Sequence, residues 1–128
     1  MRVEVRPVSE QPGYVSVMPH GPIDTESHDD FRRVVEPVLA DKQLKHLLID
    51  LKDVEYISSA GLGVLFSVKK NLDRQGGELI FCHAQPQILK LFETVKFLPK
   101  ESVFKSLDEA DRYFYGIMNM EIEKRKKK

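Results

Sequence analysis

The chain predicts a single α/β domain, a mixed β-sheet with an opening hairpin and about four helices packed against it. Three observations lead there. The length of 128 residues suits one hydrophobic core. The composition, 41% hydrophobic and 31% charged, is that of a globular chain and not a disordered one. Short apolar runs with strand character alternate with stretches of helical periodicity, the pattern of parallel strands joined by helical crossovers. The domain is expected over residues 1–120, with a short basic tail over residues 121–128.

The elements follow in order. Val3–Val8 and Tyr14–Met18 read as strands, and Gln11-Pro12-Gly13 between them as a hairpin turn. Pro7 and Pro19 sit near the strand ends, where a missing N–H costs least. From about Ser27, Phe31, Val34, Val35 and Val38 recur at helical spacing and form one apolar face. Ser27 or Thr25 is the expected cap of that helix, and Pro37 is expected to kink it near its end. Leu47-Leu48-Ile49 is an uninterrupted apolar run, which predicts a strand buried on both faces. Leu62, Leu65, Val68 and Leu72 mark a second helix, closed by Gly76-Gly77 because glycine accepts the left-handed turn after a helix. Leu79–Cys82 is the next buried strand. Pro86 opens a third helix with Ile88, Leu91, Phe92 and Val95 on its inner face. Val103-Phe104 reads as a short last strand. Ser106-Leu107-Asp108-Glu109 is a capping box before a fourth helix through Ala110, Phe114 and Ile117.

Charge and cysteine content exclude several functions. Twenty Lys and Arg balance twenty Asp and Glu. Five of the positive charges are Lys124, Arg125, Lys126, Lys127 and Lys128, which leaves the preceding 123 residues at a net charge of −5. An acidic body predicts no direct nucleic-acid binding, and five tail charges beside it predict no stable membrane association. Cys82 is the only cysteine, so no internal disulfide and no paired-cysteine metal knuckle are available. His20, His28, His46 and His83 lack the spacing of a zinc motif, so no metal or cofactor is expected. The charged N-terminal residues and the absence of a 20-residue apolar run predict a cytoplasmic protein.

The most informative stretch is Asp50 to Leu65, where a buried strand runs through an acidic connection into Ser58-Ser59-Ala60-Gly61-Leu62-Gly63 at the first turn of a helix. Each glycine in a helix costs roughly 1 kcal/mol relative to alanine. Two in one turn therefore point to another surface that approaches the backbone closely. The serines have two readings. A serine before a helix is ordinarily its cap, contributing about 0.5–2 kcal/mol. A serine there can also accept a phosphoryl group, which would meet unpaired N–H groups and the positive end of the helix. The pattern of residues leaves both open.

Ile57-Ser58-Ser59-Ala60-Gly61-Leu62-Gly63-Val64-Leu65 resembles the signature of the STAS domain of bacterial anti-sigma-factor antagonists. Gly21-Pro22-Ile23-Asp24, Leu48 to Val54, and Gly76 to Phe92 resemble its other segments, so the likeness spans about Val3 to Asp111. It implies a STAS-like single domain that switches partners and is not an enzyme. In that family the serine two positions before Gly-Leu-Gly is the phosphoacceptor, which here is Ser59; Ser58 stands where an aspartate is often found. Unphosphorylated, such a protein binds an anti-sigma factor that is also a serine kinase, and thereby frees a sigma factor. Phosphorylation of Ser59 ends the binding, and a separate serine phosphatase restores it. The implied contact surface is Ser58, Ser59, Ala60, Leu62 and Gly63, with Asp24 and Thr25 from the neighbouring loop. The same likeness admits an alternative, a STAS scaffold subunit of a sensory complex or a lipid-transport ATPase with no phosphorylation cycle.

Other residues have plain roles. Asp24 can satisfy the N–H groups of a helix start as readily as contact a partner. Asp50 and Asp53 are expected as exposed strand-exit residues and not as an acid–base pair. Cys82 is expected to pack as a small buried hydrophobe. Tyr113, Phe114 and Tyr115 are expected on one face of the last helix. An enzyme or nucleotide-binding role for the glycine-rich turn is disfavoured, since it matches neither a P-loop nor a dinucleotide fingerprint.

Overall fold

A computed structural model describes residues 1–7, 13–95 and the backbone of 103–104. Five strands, β1 (Arg2–Pro7), β2 (Tyr14–His20), β3 (His46–Asp50), β4 (Glu78–Cys82) and β5 (Val103–Phe104), form one sheet in the order β1-β2-β3-β4-β5. β1 pairs antiparallel with β2, and the remaining neighbours are parallel. The mixed sheet with an opening hairpin is therefore present, and three helices occur among the described residues: α1 (His28–Leu39), α2 (Ser59–Gln75) and α3 (Pro86–Val95). The expected fourth helix, its capping box, Tyr113–Tyr115 and the basic tail lie outside the described residues, as do Val8, Gln11 and Pro12.

The run at Leu47-Leu48-Ile49 behaves as its composition demands, with all three side chains fully buried. Leu47 and Ile49 join Val17, Leu79 and Phe81 on the face that receives the helices. Onto it pack Phe31, Val35 and Leu39 of α1, Val64, Leu65, Val68 and Leu72 of α2, and Ile88 and Phe92 of α3. Phe81 and Phe92 meet ring to ring at 4.9 Å. Burying each such side chain stabilises the fold by about 1.5–3 kcal/mol. Pro19 occupies a strand with neighbours on both sides, yet the parallel ladder with β3 stops at Val17, so its missing N–H breaks no ladder there.

Helix ends follow local chemistry. Gly76 takes φ 73, its N–H donates to Asp73 O, and Gly77 N–H donates to Leu72 O at 2.7 Å. That paired pattern ends α2 where Gly76-Gly77 predicts it. α1 continues two residues beyond Pro37 before ending at Leu39. Two expectations need adjustment. Ser27 holds the cap position of α1, as expected, but neither its side chain nor that of Thr25 hydrogen-bonds the helix N–H groups; Asp24 does so for the turn that leads into it, as described below. Val95, the last residue of α3, is 37% exposed and so is not buried as expected.

Candidate functional site

The site is built where two loops run side by side at one end of the sheet. The connection from β3 to α2 passes Ile57, which pairs as an isolated parallel bridge with Ile23 in the connection from β2 to α1. Ile23 N–H donates to Tyr56 O, Ser58 N–H donates to Ile23 O, and Gly21 N–H donates to Asp53 O, all at 2.9–3.0 Å. Ile23 and Ile57 are both buried in the core. The main chain thus fixes Asp24 beside Ser58, the positions that directly follow the bridge. A side-chain link adds to it: His20 of β2 lies 2.6 Å from Asp53 through Nδ1 and 3.2 Å from Glu4 of β1 through Nε2.

The two serines divide the roles that the sequence leaves open. Ser58 is the cap of α2, extended at φ −81 and ψ 174, and its Oγ accepts the N–H of Gly61 at 3.2 Å. A serine performs this task about as well as an aspartate, so the residue that departs from the family pattern preserves the helix start. Ser59 is the first helical residue and is exposed. Among the described residues its hydroxyl makes no hydrogen bond. Its own N–H and that of Ala60 belong to the first turn, where no helical carbonyl can reach them.

The glycines divide likewise. A Cβ on Gly61 would fall within the contact distance of Ile23 O and 2.9 Å from Ile23 Cγ2. The close approach expected there is made by the chain's own bridge segment. A Cβ on Gly63 would meet nothing within 4 Å, and Gly63 is exposed. Of the other expected contact residues, Thr25 is exposed, Ala60 is half-buried, and Leu62 is half-buried with its side chain against the core. The sequence did not single out Tyr56, 56% exposed, and Phe66, 41% exposed. Phe66 follows Ser59, Leu62 and Gly63 at helical spacing on one side of α2, and that repeat is the signal that marks it.

Asp24 carries out its helix-start role. Its Oδ1 accepts the N–H groups of Glu26 and Ser27 at 3.0 Å and the Ser27 hydroxyl, while Asp24 O accepts His28 N–H. The Ser27 backbone donor leads in holding the carboxyl below its ordinary value of 3.8. A carboxyl with a lowered folded pKa contributes stability that is complete above its unfolded pKa. That stability is lost as pH falls through the folded value. Asp24→Asn is therefore expected to flatten the decline of the urea midpoint between about pH 5 and pH 2.5. Glu4 and Asp30, also lowered, remain in both proteins, so the difference between the two curves isolates Asp24. Parallel curves would show that its hydrogen bonds carry no pH-dependent stability.

Asp50 is corrected from its expected place. It is buried, 8% exposed, at the end of β3, where its Oδ1 accepts Lys52 N–H at 3.0 Å and lies 3.1 Å from His83 Nδ1. Asp53 is exposed, as expected. Cys82 is fully buried, as expected, but with His83 beside it. Among the described residues no helix is long and apolar enough to cross a membrane.

A family model for the STAS domain matches residues 6–110. The chain is 24% identical over 110 residues to an anti-sigma F factor antagonist of Paenibacillus polymyxa, covering 86% of this chain and 89% of that one. It is 38% identical over 74 residues to the putative anti-sigma factor antagonist BtrV of Bordetella bronchiseptica, covering 58% of this chain and 64% of that one. The structure of the Bacillus cell fate determinant SpoIIAA in its phosphorylated form shares the fold, with a TM-score of 0.69 over 88% of this chain and 99% of that one at 15% identity. The chain belongs to the STAS domain family.

Proposed function

We propose that this protein is a cytoplasmic anti-sigma-factor antagonist whose partner binding is switched by phosphorylation at Ser59. The unphosphorylated chain binds an anti-sigma factor that is also a serine kinase, and so releases a sigma factor. It performs no chemistry of its own. The kinase transfers a phosphoryl group to Ser59, the complex parts, and a serine phosphatase removes the group. The contact surface comprises Ser58, Ser59, Ala60, Leu62 and Gly63 with Asp24 and Thr25, and Tyr56 at its rim. The names of the relatives support the class of partner.

One observation carries the site assignment: the capping duty falls on Ser58, which leaves the Ser59 hydroxyl exposed at the first position of α2. A phosphoryl group there lies at the positive end of the helix, beside N–H donors, so the fold accepts it. It adds about −1.5 to −2 charges to a surface that a partner must otherwise approach bare. The test is incubation with the cognate kinase and ATP, followed by intact-mass measurement. The wild type is expected to gain one phosphoryl group and Ser59→Ala none. A gain that persists in Ser59→Ala overturns the site, and no gain in the wild type overturns the cycle.

A further inference from the structure

We propose that Asp50, Cys82 and His83 form a binding site for one thiophilic divalent cation, with Zn²⁺ the ion their chemistry suits. Asp50 ends β3 and Cys82 ends β4, and the two are register partners in the parallel ladder. Had the strand continued, the side chain of His83 would point away from that of Cys82. Instead His83 takes φ 56, the only positive φ at a non-glycine position among the described residues. This turn brings Nδ1 to 3.7 Å from Cys82 Sγ and 3.1 Å from Asp50 Oδ1. A non-glycine residue at positive φ is uncommon, and histidine is among the few types that adopt it more readily, so the turn is one that His83 accepts while it aims the ring at Asp50.

The geometry is close to what a tetrahedral ion needs. Zinc bonds of about 2.0 Å to nitrogen or oxygen and 2.3 Å to sulfur place neighbouring ligand atoms about 3.3–3.6 Å apart. The sulfur–nitrogen and nitrogen–oxygen edges are already within a few tenths of an ångström of those values, and all three ligand atoms lie within 4.8 Å of one another. Binding requires the remaining sulfur–oxygen edge, which lies within 4.8 Å, to reach about 3.5 Å. A thiolate, an imidazole and a carboxylate together favour Zn²⁺ over Mg²⁺ or Ca²⁺, which prefer all-oxygen ligands. Three protein ligands leave the fourth position to water, and the His83 side chain, 32% exposed, provides the entry. Binding forms the Sγ–metal bond and releases the thiol proton to solvent, so affinity rises with pH. Leu51 N–H donates to Cys82 O at 2.9 Å, so the ion ties together the strand ends from which the Leu51–Ser58 connection departs. This site is independent of the switch at Ser59.

Titration of the metal-free protein with Zn²⁺ by calorimetry, and with Co²⁺ by absorption spectroscopy, tests the proposal. One ion per chain is expected, and the Co²⁺ form should show a thiolate-to-cobalt charge-transfer band. Cys82→Ser and His83→Asn are each expected to weaken Zn²⁺ binding by about 100-fold or more, the upper end of what loss of a mere outer-shell partner costs. Asparagine is chosen because it tolerates the positive φ. His28→Asn, on α1, is expected to bind as the wild type does. Absence of saturable binding, absence of the charge-transfer band, or equal weakening in His28→Asn overturns the site. Should Cys82→Ser fail to fold, the band in the wild type still reports thiolate ligation directly.

Discussion

Alanine at position 61 is expected to lower the stability of the domain by about 3 kcal/mol, while alanine at position 63 is expected to raise it by about 0.5–1 kcal/mol. Both replacements remove a glycine from the first five residues of α2, and helix propensity alone would make both favourable. The difference lies in what stands opposite. At Gly61 the new methyl group meets Ile23 O and Cγ2. That carbonyl is already engaged by the Ser58 N–H, and its residue is fully buried. Relief requires the Ile23–Ile57 bridge to open, with loss of the hydrogen bonds on either side of it. At Gly63 the methyl group enters open space, and only the conformational gain remains. Urea denaturation of the two variants with a common slope reads the difference directly. Equal destabilisation would show that the close approach at Gly61 does not limit the fold. On the proposed contact surface, Gly63→Ala should also weaken partner binding while it stabilises the free protein.

Ser59→Asp is expected to reduce affinity for the proposed anti-sigma partner by about 100-fold or more, since placing unmatched charge in an interface costs several kcal/mol. The same change is expected to stabilise the free domain by about 0.3–1 kcal/mol, because a carboxylate at the first position of a helix complements its positive end. Ser59→Ala, which adds no charge, should retain affinity within about tenfold, as loss of one neutral hydrogen bond allows. The opposed signs separate repulsion from unfolding. Calorimetric binding together with thermal denaturation of both variants supplies the measurement. Tight binding by Ser59→Asp would exclude release by charge.

Where the sequence spoke plainly, one physical effect dominated. Leu47-Leu48-Ile49 can be stable only with both faces covered, and Gly76-Gly77 can only end a helix that carries Leu65, Val68 and Leu72 inward. The misplacements have other causes. The exposure expected for Asp50 followed from its place at a strand exit, and nothing local announces that His83, 33 residues away, folds back over it. Ser27 holds the cap position of α1, yet its hydroxyl turns to Pro22 O, and Asp24 takes the N–H groups of Glu26 and Ser27. For the site, two glycines announced a close approach but not its partner. One proved to be internal and the other open. The sequence left open which serine caps the helix, because adjacent serines have equal propensity and only the backbone angles at Ser58 distinguish them.

The paired loops at the site are joined largely through backbone amides and carbonyls, with Ile23, Leu51, Val54 and Ile57 turned inward. Such a frame is indifferent to the identity of the side chains it displays. Thr25, Tyr56, Ser59 and Phe66 can be exchanged during evolution without renegotiating the architecture beneath them. A duplicated copy of this gene thus has an open route to a new partner: its recognition vocabulary can be rewritten residue by residue while the grammar of the loops stays the same.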